Sequence, residues 1–312
     1  MKRIVKKKLA LLCAGVMVFT FGACSVGGGG DAIRSEVPTY DREGFPITLP
    51  DQVETIISIG PSNTEVLVAL GFGEAIIQTD AHSANVPGIQ EGISTLDMMA
   101  LDSEFIISLA PDIIFVTGMT RVAGDDDPLS IVSDTGITVI YMPSSASVDD
   151  IKEDIRFVAA VLDAEEAGAE IVAEMTQEID RIRAIGDTII ERKTVYFEIS
   201  PAPHMFSFGS GTFLHEMIEI VGGTNVFGDQ EGWIGVADEV ILELNPDVIL
   251  TSAGFLDDPV GEIMSRPGWD AVTAVQNGDI FVIDSNASNR PSQNIIIALR
   301  EMAEAIYPDE FR

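Results

Sequence analysis

Two stretches of the chain carry the same carboxylate in the same setting. EFIISLAPDIIF (residues 104–115) and EVILELNPDVIL (residues 239–250) share the pattern Glu-x-Ile-x-x-Leu-x-Pro-Asp-[Ile/Val]-Ile, 135 positions apart. Glu104 and Glu239 lead the two copies. A carboxylate at the start of a helix is favoured by the helix dipole. Two of them at matching places offer paired acidic contacts to a partner with two basic sockets.

Other chemistry-bearing side chains gather just after apolar runs. Ser62 and Asn63 lie in GPSNT, His82 in TDAHSAN, and Arg121 in TGMTR. His204, Met205 and Phe206 lie in PAPHMFSF, Trp233 in GDQEGW, and Arg290 in DSNASNRPSQ. Hydroxyls, imidazoles, two guanidinium groups and aromatic surface suit holding a molecule better than cleaving one. A secreted α/β hydrolase would need a nucleophile with its base, and the chain has no Gly-x-Ser-x-Gly elbow. It also lacks a phosphate loop and a dinucleotide glycine fingerprint. A zinc or manganese site needs several imidazole or carboxylate ligands. The chain has three histidines, and His215 falls in a helical stretch where a structural role is expected. The methionines of LDMMAL (96–101) are expected in core packing rather than at a metal.

The elements that must position these residues can be read from pattern. A residue before proline is pushed out of the α region, so Ala110-Pro111 and Asn245-Pro246 each end a short helix. Pro-Asp then turns the chain into DIIFV or DVILT, unbroken apolar runs of the kind buried on both faces of a parallel sheet. A glycine-terminated helix precedes each copy (TEVLVALGFG, LHEMIEIVGG) and a glycine-led strand follows each (TGITVIYM, NGDIFVID). Strand and helix alternate elsewhere, in ETIISIG, EAIIQTD and TVYFE among others. The expected fold is α/β: two Rossmann-like lobes with parallel sheets. Residues 147–187 between them keep helical spacing, with a Ser147–Asp150 capping pair and a break near Asp163. One long helix there would act as a stiff spacer. Ligands of open α/β sheets bind beyond the carboxyl ends of the strands, so the loops named above should line one cleft between lobes 51–146 and 188–312.

The N-terminus reads as a leader. MKRIVKKK is basic, LALLCAGVMVFTF is apolar, and small residues Gly22 and Ala23 precede Cys24. Cleavage after residue 23 and lipidation of Cys24 are expected, with residues 24–50 as a tether and lead-in. Cys24 is then the last cysteine, so no intramolecular disulfide forms. Removing the leader's five bases leaves 13 basic against 50 acidic residues, a balance of −37. Such a surface repels nucleic acid and anionic headgroups.

The stretches IISIGPSNTEVLVALGFG, EFIISLAPDIIF, FSFGSGTFLHEMIEIVGGTNVFGD, VADEVILELNPDVIL and RPGWDAVTAVQNGDIFVID resemble the cobalamin- and iron-chelate-binding proteins of ABC importers, from about residue 54 to the end. The resemblance implies a rigid interlobe helix, a shallow cleft, and delivery to an ABC permease dimer with its cytoplasmic ATPase. It implies that Glu104 and Glu239 dock on permease arginines. The protein would be a lipid-anchored, extracytoplasmic monomer with no resident cofactor. A small-molecule metal chelate would be its cargo: a ferric siderophore of low charge or cobalamin, with haem as the alternative. Haem would look to His82, His204 or Met205 for an axial ligand. Cobalamin would look to Phe206, Trp233 and Phe255 for its walls.

Overall fold

The computed structural model describes residues 37–121 and 127–311; Cys24 and its leader lie outside them. The apolar runs form the strands that their composition requires. In chain order the first lobe holds β1 (Ile56–Ile59), α1 (Pro61–Ala69), β2 (Ile76–Asp80), β3 (Thr95–Leu96), α2 (Ser103–Leu109), β4 (Ile113–Thr117), α3 (Pro128–Asp134) and β5 (Thr138–Met142). Then come α4 (Val148–Val161) and α5 (Glu165–Gly186). The second lobe holds β6 (Thr194–Glu198), β7 (Phe206–Phe208), α6 (Phe213–Ile220), β8 (Thr224–Asn225), β9 (Trp233–Gly235), α7 (Asp238–Leu244), β10 (Val248–Thr251), α8 (Pro259–Met264), α9 (Thr273–Asn277), β11 (Ile280–Val282), α10 (Ser285–Asn289) and α11 (Ile295–Ile306).

Each lobe has a parallel sheet, ordered β3-β2-β1-β4-β5 in the first and β11-β10-β6-β8 in the second. Read outward from the first strand, both place the next strand on one side and the strand of the repeat on the other. β1 pairs with β4 from Ile56↔Ile113, and β6 with β10 from Val195↔Val248. Every residue of β1, β5 and β10 is buried, as helices on both faces demand.

The repeated Pro-Asp has a structural reason that the pattern alone does not reveal. Asp112 Oδ2 accepts from the backbone N–H groups of Glu54 and Thr55 and from the Thr55 hydroxyl, each at 2.9 Å. Asp247 Oδ2 accepts from the Thr194 N–H at 2.8 Å and its hydroxyl at 2.7 Å. Each aspartate thus ties the start of its own strand to the start of the lobe's first strand. The residue before each proline leaves the α region by entering the left-handed one, Ala110 at φ 47 and Asn245 at φ 44.

The break near Asp163 is a turn at φ 53. It folds α4 back so that it packs against α5, and a Cβ at Gly168 of α5 would overlap that of Ala159 of α4. The Ser147–Asp150 capping box is present at the start of α4. The 22-residue α5 is the long crossing helix. Its Val172, Met175, Ile179 and Ile182 are buried in one apolar core shared with Val66 and Leu70 of the first lobe and Ile218 and Met302 of the second. A core continuous beneath both lobes makes the spacer stiff. The lead-in residues from Tyr40 belong to the folded unit: Arg42 Nε meets Asp154 at 2.6 Å, and the Thr138 hydroxyl donates to the Thr48 carbonyl.

Candidate functional site

A cavity of about 480 Å³ opens between the lobes. The first lobe contributes Gly60, Pro61, Ser62, Met98, Thr117, Met119 and residues 143–145. The second contributes Phe206, Phe213, Trp233, Asn289, Arg290 and Pro291. Gly60–Ser62 follow β1 and Thr117 ends β4, so this wall sits where the strand order reverses, the expected ligand position. Gly60 turns the chain there at φ 107, and its N–H donates to Asp80 Oδ2 at 2.8 Å. The opposite wall is an antiparallel ribbon of β7 and β9 in which Phe208 faces Trp233 and Phe206 faces Gly235. Trp233 is held edge-on by Phe208 and Phe213, with centroids 6.2 and 6.4 Å away. The walls are therefore aromatic on one side and thioether-bearing on the other.

The structure brings together Ser62, Phe206, Trp233 and Arg290 from the residues singled out in the sequence. It places the others elsewhere. Asn63 turns inward and donates to the Ile59 carbonyl at 3.0 Å, so it fixes the strand–helix junction. Arg121 stacks on the Phe45 ring at 3.4 Å and pairs with Glu43 and Asp127, so the lead-in turn and Asp127 occupy its charge. His82 and His204 are exposed and absent from the cavity lining, as is Phe255. Met205 is buried, with its sulfur 3.4 Å from Arg266 Nη1. His215 sits in α6 beside Asn225 and Glu219. Sequence reasoning missed Phe213, Met119 and Asn289. Met98 packs against the first lobe's core, as expected, and also lines the cavity, which was not expected. Met98 and Trp233 each lie six residues before the glutamate of their lobe, a spacing that could have flagged Met98.

Behind the aromatic wall lies a buried ionic group. Arg266 grips Glu198 through Nη1 at 2.6 Å and Nη2 at 3.0 Å, and also bonds Glu262. Burial pushes the Glu198 carboxyl up from its ordinary range, and the guanidinium opposes that push. The guanidinium also lies over Trp269, whose indole N–H donates to Asp238 Oδ1 at 2.9 Å. Asp238 opens α7, so this group seats the helix that carries Glu239.

Glu104 and Glu239 are both exposed, and each is the second residue of a seven-residue helix. An exposed apolar neighbour follows each, Phe105 and Val240. No group of three or more histidine, cysteine or carboxylate side chains suited to a metal occurs among the described residues.

Two parallel-sheet lobes, a crossing helix and a cleft between the lobes are the build of the class III solute-binding proteins. The chain belongs to the periplasmic binding protein family, whose profile matches residues 56–287. It is 29% identical to the uncharacterised ABC transporter substrate-binding lipoprotein YvrC of Bacillus subtilis, over 97% of each chain. It is 24% identical to a cobalamin-binding protein of Halobacterium salinarum, over 86% of this chain and 73% of that one. A solved structure from Staphylococcus epidermidis, described as a possible iron-binding periplasmic solute-binding protein, superposes with a TM-score of 0.71 at 28% identity, covering 82% of this chain and 100% of the other. The protein is the extracytoplasmic substrate-binding component of an ABC importer, which works with a permease and an ATPase.

Proposed function

We propose that the cleft captures a bulky metal chelate of low charge, cobalamin first, and that Glu104 and Glu239 dock the loaded protein on its permease. One observation carries the ligand reading: the cavity walls are Phe206, Phe213, Trp233, Met98 and Met119, and the guanidinium beside them is already paired. A corrinoid offers a broad, weakly charged face that such walls can desolvate at little cost. The cobalamin-binding relative supports the same choice. A catecholate chelate would bring several negative charges and need several free cations. Haem finds no histidine or tyrosine among the described lining residues, which leaves it only the thioethers of Met98 and Met119 as axial ligands. A neutral ferric hydroxamate is the second reading, favoured by Ser62, Thr117, Ser144 and Asn289, whose small polar groups suit hydroxamate oxygens, and by the similar structure described as a possible iron-binding protein. In this reading Cys24 carries the lipid, the carrier acts as a monomer anchored to the cell membrane at its outer face or in a periplasm, and the chelate is cargo rather than a resident cofactor.

The test is an absorption spectrum after gel filtration. Residues 25–312 are mixed separately with cyanocobalamin, haemin and a ferric trihydroxamate, then freed of unbound ligand. A corrinoid band travelling with the protein is the expected result. It should weaken at least ten-fold in affinity in Trp233→Ala, in keeping with the ~2 kcal/mol or more carried by central aromatic contacts. A charge-transfer band with the hydroxamate alone would replace cobalamin by the second reading.

A further inference from the structure

Arg290 is the one cation among the described residues that line the cavity, and it is not free. Its Nη1 donates to Glu65 Oε1 at 2.7 Å, and its Nη2 donates to the His82 carbonyl at 3.0 Å. The two side chains are 13% and 6% exposed. Glu65 is held from the same segment by three further bonds. Its Oε2 accepts from the Ser292 hydroxyl and from Asn294 Nδ2 at 2.9 Å, and its backbone carbonyl accepts from Gln293 Nε2 at 3.2 Å. Glu65 belongs to α1 of the first lobe and residues 290–294 to the second. Four residues of one lobe thus converge on a single glutamate of the other, three of them on its carboxylate, at the edge of the cleft.

We propose that Glu65 is a specificity-determining residue: by cancelling the charge of Arg290 across the lobe boundary, it restricts the cleft to ligands without a net negative charge. The inference rests on the reading of the cleft as the ligand site, though not on which chelate fills it. A fastener alone would need only hydrogen bonds, which a glutamine could keep with Ser292 or Asn294. A carboxylate does more. Buried beside a guanidinium and away from bulk solvent, it removes a potential that water would not screen. With glutamine at position 65, Arg290 would present an uncompensated charge to the cavity and recruit anions.

The chain has two tryptophans, and Trp269 is fully buried whereas Trp233 is 48% exposed in the cleft. Collisional quenching of tryptophan fluorescence therefore reports on Trp233. Iodide senses local potential and acrylamide does not. The iodide-to-acrylamide ratio of quenching constants should rise roughly two-fold in Glu65→Gln, the size expected of one charge partly screened at cleft distances. It should return to the wild-type value in Glu65→Gln/Arg290→Gln. An unchanged ratio in Glu65→Gln overturns the proposal. If Glu65→Gln fails to fold, Arg290→Gln serves: the carboxylate is then left uncompensated, the ratio should fall, and an unchanged ratio again overturns it. A binding arm uses cyanocobalamin and its monocarboxylate derivative. Wild type should prefer the neutral form, and Glu65→Gln should shift the preference about ten-fold toward the carboxylate, ~1.4 kcal/mol. A shifted quenching ratio with no binding of either corrinoid would remove cobalamin and leave the role of Glu65 standing. Corrinoid binding with neither ratio nor preference altered would do the reverse.

Discussion

At the scale of single residues, the same chemistry has different worth in different surroundings. Glu178 meets Arg300 at 2.6 Å and Arg181 at 2.7 Å, and hydrogen bonds from Arg181 and then Arg300 hold its carboxyl down at about 2. Both arginines are about half exposed, so water and salt share the work. Arg300→Ala should lower stability by no more than ~1 kcal/mol. What it loses is present above the ordinary carboxylate range and fades as pH falls toward 2. Arg266 is only 5% exposed and its partner Glu198 is fully buried. Arg266→Ala strands that carboxylate in the core and should cost ~3–5 kcal/mol. Urea unfolding of the two variants at neutral pH checks the contrast; equal losses would contradict it. The sequence carried no sign of this difference, because burial of Glu198 depends on β10 pairing with β6 and on the segment after α8 bringing Arg266 to it.

At the scale of elements, the helix–turn–strand repeat explains itself through Asp112 and Asp247. Backbone N–H donation from Glu54, then the donors of Thr55, hold the Asp112 carboxyl below its ordinary value. A depressed carboxylate stabilises the fold above its ordinary pKa, and that gain is lost as pH falls through the lowered one. Asp112→Asn should therefore cost ~1.5–3 kcal/mol at pH 7, the range of hydrogen bonds to charged groups. The gap to wild type should narrow on acidification below about pH 4. Unfolding curves at the two pH values decide it, and a gap that stays constant would assign the loss to shape rather than charge. The longer parallel strands, the short helices of the repeat and the Pro-Asp turns were legible, since each rests on local pattern; the two-residue edge strands β3 and β8 were not. The antiparallel ribbon of β7 and β9 was not legible: its strands have three residues each, with 24 residues between them. Pairing that short is decided by the lobe that frames it.

At the scale of the whole molecule, two exposed glutamates on equivalent helices face one partner question. Reversal of both, Glu104→Lys with Glu239→Lys, should abolish uptake in cells and leave ligand affinity within about two-fold, because neither residue lines the cleft. Each single reversal should fall between. Undiminished uptake, or affinity lost along with it, would refute the docking role. The continuous core under α5 bears on the same point, since a stiff spacer keeps the two carboxylates at a set separation.

What the sequence determined by itself was the plan: two α/β lobes of one design, a helical connection broken at Asp163, and a glutamate at the head of each repeat. These follow from period, proline and glycine placement, and self-similarity, which are properties of neighbouring residues. Which side chains face the cleft was decided only by tertiary structure. Arg121 and Arg290 both follow strands and read alike, yet Phe45 and Glu43 claim the first while Glu65, 225 positions away, claims the second at the cleft edge. A charge is cancelled or left free by whatever the fold brings within hydrogen-bond reach, and no local pattern records that distance.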